Sequence, residues 1–77
     1  MNDLSTLSKK FGLRIKFERM KQDWSQEKLA EKAGIGRSTL TSIERNMCST
    51  TLDIVEKLAK ALGYEPYELL IFKDLEI

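Results

Sequence analysis

Between residues 5 and 22 the apolar positions fall on two separate sectors of a helix. At 100° per residue Leu4, Leu7, Phe11 and Ile15 share one narrow stripe with Gln22, while Leu13, Phe17, Met20 and Trp24 lie on nearly the opposite side. The segment has no proline, so its spacing predicts one helix. One helix face cannot bury both stripes. Either the domain and its own C-terminal tail wrap this helix on two sides, which is the expectation adopted, or the second stripe is a partner or dimer surface. Gly12 is a poor helix former and points to close packing at that turn.

Further along, the pattern repeats in shorter units. Ser25 is a good N-cap, Glu27 suits the positive end of a helix dipole, and Leu29, Ala30 and Ala33 recur at helical spacing up to Gly34, which can adopt φ > 0 at no cost. Gly36 allows a second bend and can cap the next helix, where Leu40 and Ile43 point inward and Arg37, Ser38, Thr41, Ser42 and Arg45 point outward. Helices over 26–33 and 37–45 across so short a turn make a helix-turn-helix at 25–45. Residues 46–50 form a loop. Thr50 or Thr51 caps a fourth helix with Leu52, Val55, Leu58, Ala59 and Leu62 inward and Gly63 at its end; Pro66 opens a fifth that runs to about Phe72. The expected architecture is all-α, one compact five-helix domain over residues 1–77.

The fifth helix is unusual. Leu69, Leu70, Ile71 and Phe72 are consecutive and span most of a helix circumference, and Leu75 and Ile77 add to them, so a monomer leaves apolar surface wet. Residues 64–77 are therefore the expected dimerisation region, with Leu70, Ile71 and Phe72 as anchors. The alternative is a tail that folds back on the second stripe of helix 1.

Composition narrows the chemistry. Seventy-seven residues suffice for one small core. The single cysteine, Cys48, allows no internal disulfide, and a chain without histidine lacks the usual general base and the commonest metal ligand. Neither an enzyme nor a metal site is expected. No stretch is apolar for long enough to span a membrane, and the polar start Met1-Asn2-Asp3 does not resemble a signal peptide, so a cytoplasmic location is expected. The net charge of +1 hides an asymmetry: residues 9–45 carry net +5, and residues 46–77 net −3. The basic part coincides with the helix-turn-helix, as a nucleic-acid contact requires.

Around that motif the chain resembles the phage-repressor family, which includes Cro-type regulators and the controller proteins of restriction–modification systems. Ser25-Gln26 followed by Leu29-Ala30, the turn Ala33-Gly34-Ile35, and Ile43-Glu44-Arg45-Asn46 carry the resemblance, which covers roughly residues 11–70. It implies a lambda-repressor-like fold, dimers built through the C-terminal region and binding to double-stranded DNA. Arg19 and Glu44 match a structural ion pair of the family. Gln26 matches a glutamine that meets the DNA backbone. Glu18 departs from the pattern, since many members are apolar there.

The reading helix must approach base edges with short side chains and a few donors. Arg37, Ser38, Thr41 and Ser42 provide these, with Arg37 best suited to a bidentate guanine contact. Gln26, Thr39, Arg45 and Asn46 flank them as phosphate contacts. Gly34-Ile35-Gly36 lacks the strand and remaining residues of a phosphate loop. The expected function is a homodimeric, sequence-specific transcriptional regulator on a near-palindromic operator, as in a controller protein. It needs no cofactor and no small-molecule ligand. The alternative is an antitoxin or protein-interaction module that uses Leu13, Phe17 and Met20.

Overall fold

The computed structural model describes residues 6–72. Four α-helices follow in order: α1 Thr6–Lys21, α2 Gln26–Ala33, α3 Arg37–Glu44 and α4 Leu52–Leu62, with a 3₁₀ helix at Pro66–Leu70. No strand occurs among the described residues.

Local chemistry sets the boundaries. Ser25 Oγ accepts from Lys28 N at 3.0 Å, and Thr51 Oγ1 accepts from Ile54 N at 3.2 Å; each hydroxyl satisfies an amide that a helix start leaves unpaired. Gly34 and Gly63 close α2 and α4 at φ 72° and 84°. In these left-handed caps Ile35 N reaches Ala30 O and Tyr64 N reaches Ala59 O. The ends of α1 and α3 use Asp23 and Asn46 at φ 61° and 64°, residues that tolerate this conformation better than most.

Phe11, Ile15, Leu29, Leu40, Ile43, Leu58 and Leu69 meet in one core. Gly12 is where α1 and α3 come closest. A Cβ on it would lie 2.3 Å from Ile43 O, so only glycine fits there.

Three expectations are corrected. The fifth helix is a short 3₁₀ turn, not an α-helix. Glu68 N bonds Glu65 O at 2.9 Å, and the Glu68 side chain returns to Glu65 N at 2.8 Å, a capping box that stabilises one tight turn after Pro66. Ile71 is then extended, at φ −97° and ψ 119°. Leu52 is 82% exposed, at the first position of α4, ahead of the turn that faces the core. Finally, α1 is not wrapped on two sides. Leu13, Phe17 and Met20 are 43%, 43% and 58% exposed, because the other described elements pack against the side that carries Phe11 and Ile15. Trp24, past the end of α1, is half-buried against the core. Leu4, Leu75 and Ile77 lie outside the described residues.

Candidate nucleic-acid interface

On α3 the buried positions Leu40, Ile43 and Glu44 define the inner face. Helical geometry then turns Ser38, Thr41, Ser42 and Arg45 outward, with Arg37 and Thr39 on opposite edges. Arg37, Ser38 and Arg45 are exposed; Thr39, Thr41, Ser42 and Asn46 are half-buried. Neither Arg37 nor Arg45 is held in an ion pair among the described residues, so both guanidinium groups are available to a ligand. The face is small, polar and basic.

A buried network mounts this face. Arg19 grips Glu44 with two bonds, Nε to Oε2 at 2.8 Å and a terminal nitrogen to Oε1 at 3.0 Å, while its other nitrogen donates to Trp24 O at 2.7 Å. The Glu44 side chain is 2% exposed and that of Arg19 13%. A charge so far from water requires a partner, and the bidentate fork provides one with fixed geometry. Gln26 Nε2 donates to Glu44 Oε1 at 3.0 Å, and Thr41 Oγ1 donates to Gln26 Oε1 at 2.8 Å. Because a carboxylate only accepts, the amide nitrogen of Gln26 must face Glu44. The chain of bonds thus joins α1, the first turn of α2 and the middle of α3.

This network changes what two of the selected residues can offer. The Thr41 hydroxyl hydrogen is committed to Gln26, which leaves its oxygen as an acceptor and its methyl as an apolar contact. Gln26 retains one amide hydrogen for an external acceptor. Asn46 follows the Arg45 cap of α3, and its Oδ1 is buried with no hydrogen-bond partner among the described residues.

A second buried group has no counterpart in the sequence reading. Glu18, 3% exposed, accepts from Arg14 at 2.9 Å and from the Tyr64 hydroxyl at 2.8 Å, with Lys21 Nζ at 3.4 Å. Arg14 also donates to Ile71 O and so ties α1 to the segment after the 3₁₀ helix. The hydrogen bond to Glu18, then burial and the nearby Glu18 charge, raise the Tyr64 pKa above its usual 10.0. The polar residue that departs from the family pattern is thus fully partnered. The signal was available: Arg14 and Glu18 are an i, i+4 pair on the same side of α1 as Phe11 and Ile15.

Leu70 and Ile71 are 39% and 46% exposed, and Phe72 is half-buried with Lys10 Nζ 5.9 Å from its ring centroid. Leu69 beside them is fully buried. Cys48 is half-buried against the core. Among the described residues no cluster of acids and cysteine could hold a metal, and no helix is long and apolar enough to cross a membrane.

Similarity to known proteins agrees with this geometry. The helix-turn-helix family model matches residues 15–69. The control protein C.BamHI of Bacillus amyloliquefaciens is 41% identical over 66 residues, which cover 84% of this chain and 82% of that protein. The transcriptional regulator SinR of Bacillus licheniformis is 41% identical over 64 residues, 82% of this chain and 58% of SinR. The chain likewise spans only 50% of a hypothetical transcription factor of Neisseria meningitidis serogroup B. Among solved structures, the restriction–modification controller protein C.AhdI of Aeromonas hydrophila superimposes with a TM-score of 0.77 at 40% identity, over 80% of this chain and 94% of that one. SinR in complex with DNA gives 0.74 at 39% identity, over 79% and 98%. The polar α3 face, the buried pair behind it and these matches place the chain in the helix-turn-helix family of DNA-binding transcriptional regulators.

Proposed function

We propose that the protein binds a near-palindromic operator as a homodimer, in the manner of a small controller protein or repressor in the cytoplasm, without a cofactor or a catalytic step. The observation that carries this is the pairing of a polar α3 face, on which Arg37, Ser38 and Arg45 are exposed, with a rigid mount behind it. Arg37 and Ser38 are the foremost base readers, with Thr41 and Ser42 behind them. Gln26, Thr39, Arg45 and Asn46 hold the backbone. Gln26 lies at the N-terminal turn of α2, where the dipole favours an anion. SinR, to which this chain is similar, is solved in complex with DNA, which supports DNA binding here.

Leu70, Ile71 and Phe72 supply the dimer contact in this reading. Two exposed aliphatic side chains beside a fully buried Leu69 form a compact apolar edge suited to a copy of itself. Two α3 helices related by a two-fold axis then enter successive major grooves, with half-site centres about 34 Å apart.

Selection of bound duplexes from a random pool, followed by titration of variants, tests the reading. Arg37→Ala is expected to cost about 1–3 kcal/mol on the selected site and to relax preference at one base pair. Arg45→Ala is expected to weaken specific and random duplexes alike and to lower the salt slope by about one. Equal loss on all sequences for Arg37→Ala would make it a backbone clamp and pass the reading role to Ser38, Thr41 and Ser42.

A further inference from the structure

The outward side of α1 has no role in the DNA reading. Every exposed side chain from Thr6 to Lys21 is apolar, a lysine, or Thr6 itself, and Glu18, the one acid of the helix, is buried. Leu13, Phe17 and Met20 stand at i, i+4 and i+7, the spacing that packs one helix along another. Lysines border them on both sides. Helical angles put Lys9 and Lys16 on one flank and Lys10 and Lys21 on the other. Lys9 and Lys16 have no ion-pair partner among the described residues. Lys21 Nζ lies 5.2 Å from the Phe17 ring centroid, so a basic group borders the apolar surface directly.

We propose that this face docks an amphipathic helix of a different protein whose apolar stripe is flanked by Asp and Glu. The inference is independent of the operator reading, because it uses no residue of the DNA face. Charge selects the occupant: a helix flanked by lysines would meet four like charges, whereas acidic flanks meet complementary ones. A second copy of the chain is a poor match. The exposed sides of α2 and α4 mix acids with lysines, and Leu52 is their one large exposed apolar residue. A membrane surface fits less well than a helix, because three apolar side chains between lysine rows make a seam one helix wide.

A phage-displayed library of helical peptides, selected against the full-length protein, tests this directly. Winners are expected to carry Leu, Ile, Phe or Met at i, i+3 or i+4, and i+7, with acids on both flanks. Phe17→Ser should weaken them by roughly thirtyfold, as for a central contact of an interface. Lys9→Glu combined with Lys16→Glu should shift selection toward peptides basic on that flank, and serves if Phe17→Ser melts early. Operator affinity should stay within about twofold in Phe17→Ser, which changes no charge. Winners without acidic flanks, or winners indifferent to Phe17→Ser, overturn the proposal. So would conversion of dimer to monomer by Phe17→Ser, which would make the face a self-contact. Sedimentation with phosphatidylglycerol vesicles that is lost in Phe17→Ser would assign it to a membrane. Tighter peptide binding by Asp74→Lys with Glu76→Lys would mean the chain's own last residues cover it.

Discussion

Glu44 and Glu18 are 9% and 3% exposed, and each is held by an arginine and a neutral side-chain donor. Their positions in the chain differ. Glu44 faces Arg19 across 25 residues and binds α1, α2 and α3 together behind the proposed DNA face. Glu18 faces Arg14 within one helix turn, and its outer links reach Tyr64 and, through Arg14, the carbonyl of Ile71. Each pair thus serves a different surface. The first orients α3, the proposed reading helix; the second sets the position of the apolar edge proposed for the dimer. Damage to the two should separate fold from assembly.

The largest effect is expected at Arg19 and Glu44. Removing one partner leaves a charge that is nearly excluded from water, so Glu44→Ala or Arg19→Ala should destabilise by about 3–5 kcal/mol in urea unfolding. The double variant should lose less than the sum of the two, and the coupling should be well above the ~1 kcal/mol of a surface pair. Glu44→Ala also strands Gln26 Nε2 and so loosens the amide that accepts from Thr41, and operator binding should weaken even where the domain remains folded. Additive losses would show that the two charges are solvated separately and that the comparison between the networks is void.

These two networks were not equally legible in the sequence. Arg19 and Glu44 are far apart in the chain and came from resemblance, since no periodicity joins residues 25 apart. Arg14 and Glu18 sat in view as an i, i+4 pair on the inner side of α1, but charges at that spacing usually lie on a solvated face. What buries them is the return of Tyr64 and Ile71 across α1, a tertiary event without a local signal. The helix-turn-helix boundaries were legible because caps and glycines act locally: Ser25, Gly34, Gly36, Thr51 and Gly63 all do what their chemistry suggests. The 3₁₀ turn was harder to see. Pro66 starts an α-helix equally well, and the Glu65–Glu68 capping box that favours one tight turn resembles an ordinary helix start. The exposed stripe of α1 was read as covered, because amphipathic spacing identifies an apolar face without saying whether the chain possesses anything to lay on it.

A smaller effect is expected from Glu18→Gln, which keeps the shape of the side chain but removes its charge. Loss of charge assistance from Arg14 should cost roughly 2 kcal/mol. Without the Glu18 carboxylate the Arg14 guanidinium loses the charged partner at 2.9 Å that helps aim it at Ile71 O, so the edge at Leu70 and Ile71 is held less firmly. The dimer dissociation constant measured by sedimentation should therefore rise about tenfold, while the intrinsic contact of α3 with a half-site duplex is unchanged. If half-site affinity falls as far as dimer affinity, the two networks are not separable and Glu18 belongs to the same mechanical unit as Glu44.

The smallest effect, and the one with a distinct pH signature, is expected from Tyr64→Phe. The substitution removes one hydrogen bond to Glu18 Oε1 and leaves Arg14 and Lys21 nearby, so it should cost about 1–2 kcal/mol at neutral pH. The sign of the pH dependence follows from the raised Tyr64 pKa. In the folded protein the phenol holds its proton more tightly than at the ordinary value of 10.0, because the hydrogen bond to Glu18 needs that proton and a phenolate would face a carboxylate. The stabilisation is thus fully present below pH 10 and is lost as pH rises through the raised folded value. Urea midpoints of wild type and Tyr64→Phe should differ by a constant amount up to about pH 10 and converge above it. Lysine titration affects both proteins equally and cancels in the difference. A gap that persists undiminished at the alkaline end would mean that Tyr64 stabilises through ring packing, and that its hydroxyl contributes nothing to the hold of α1 on the C-terminal segment.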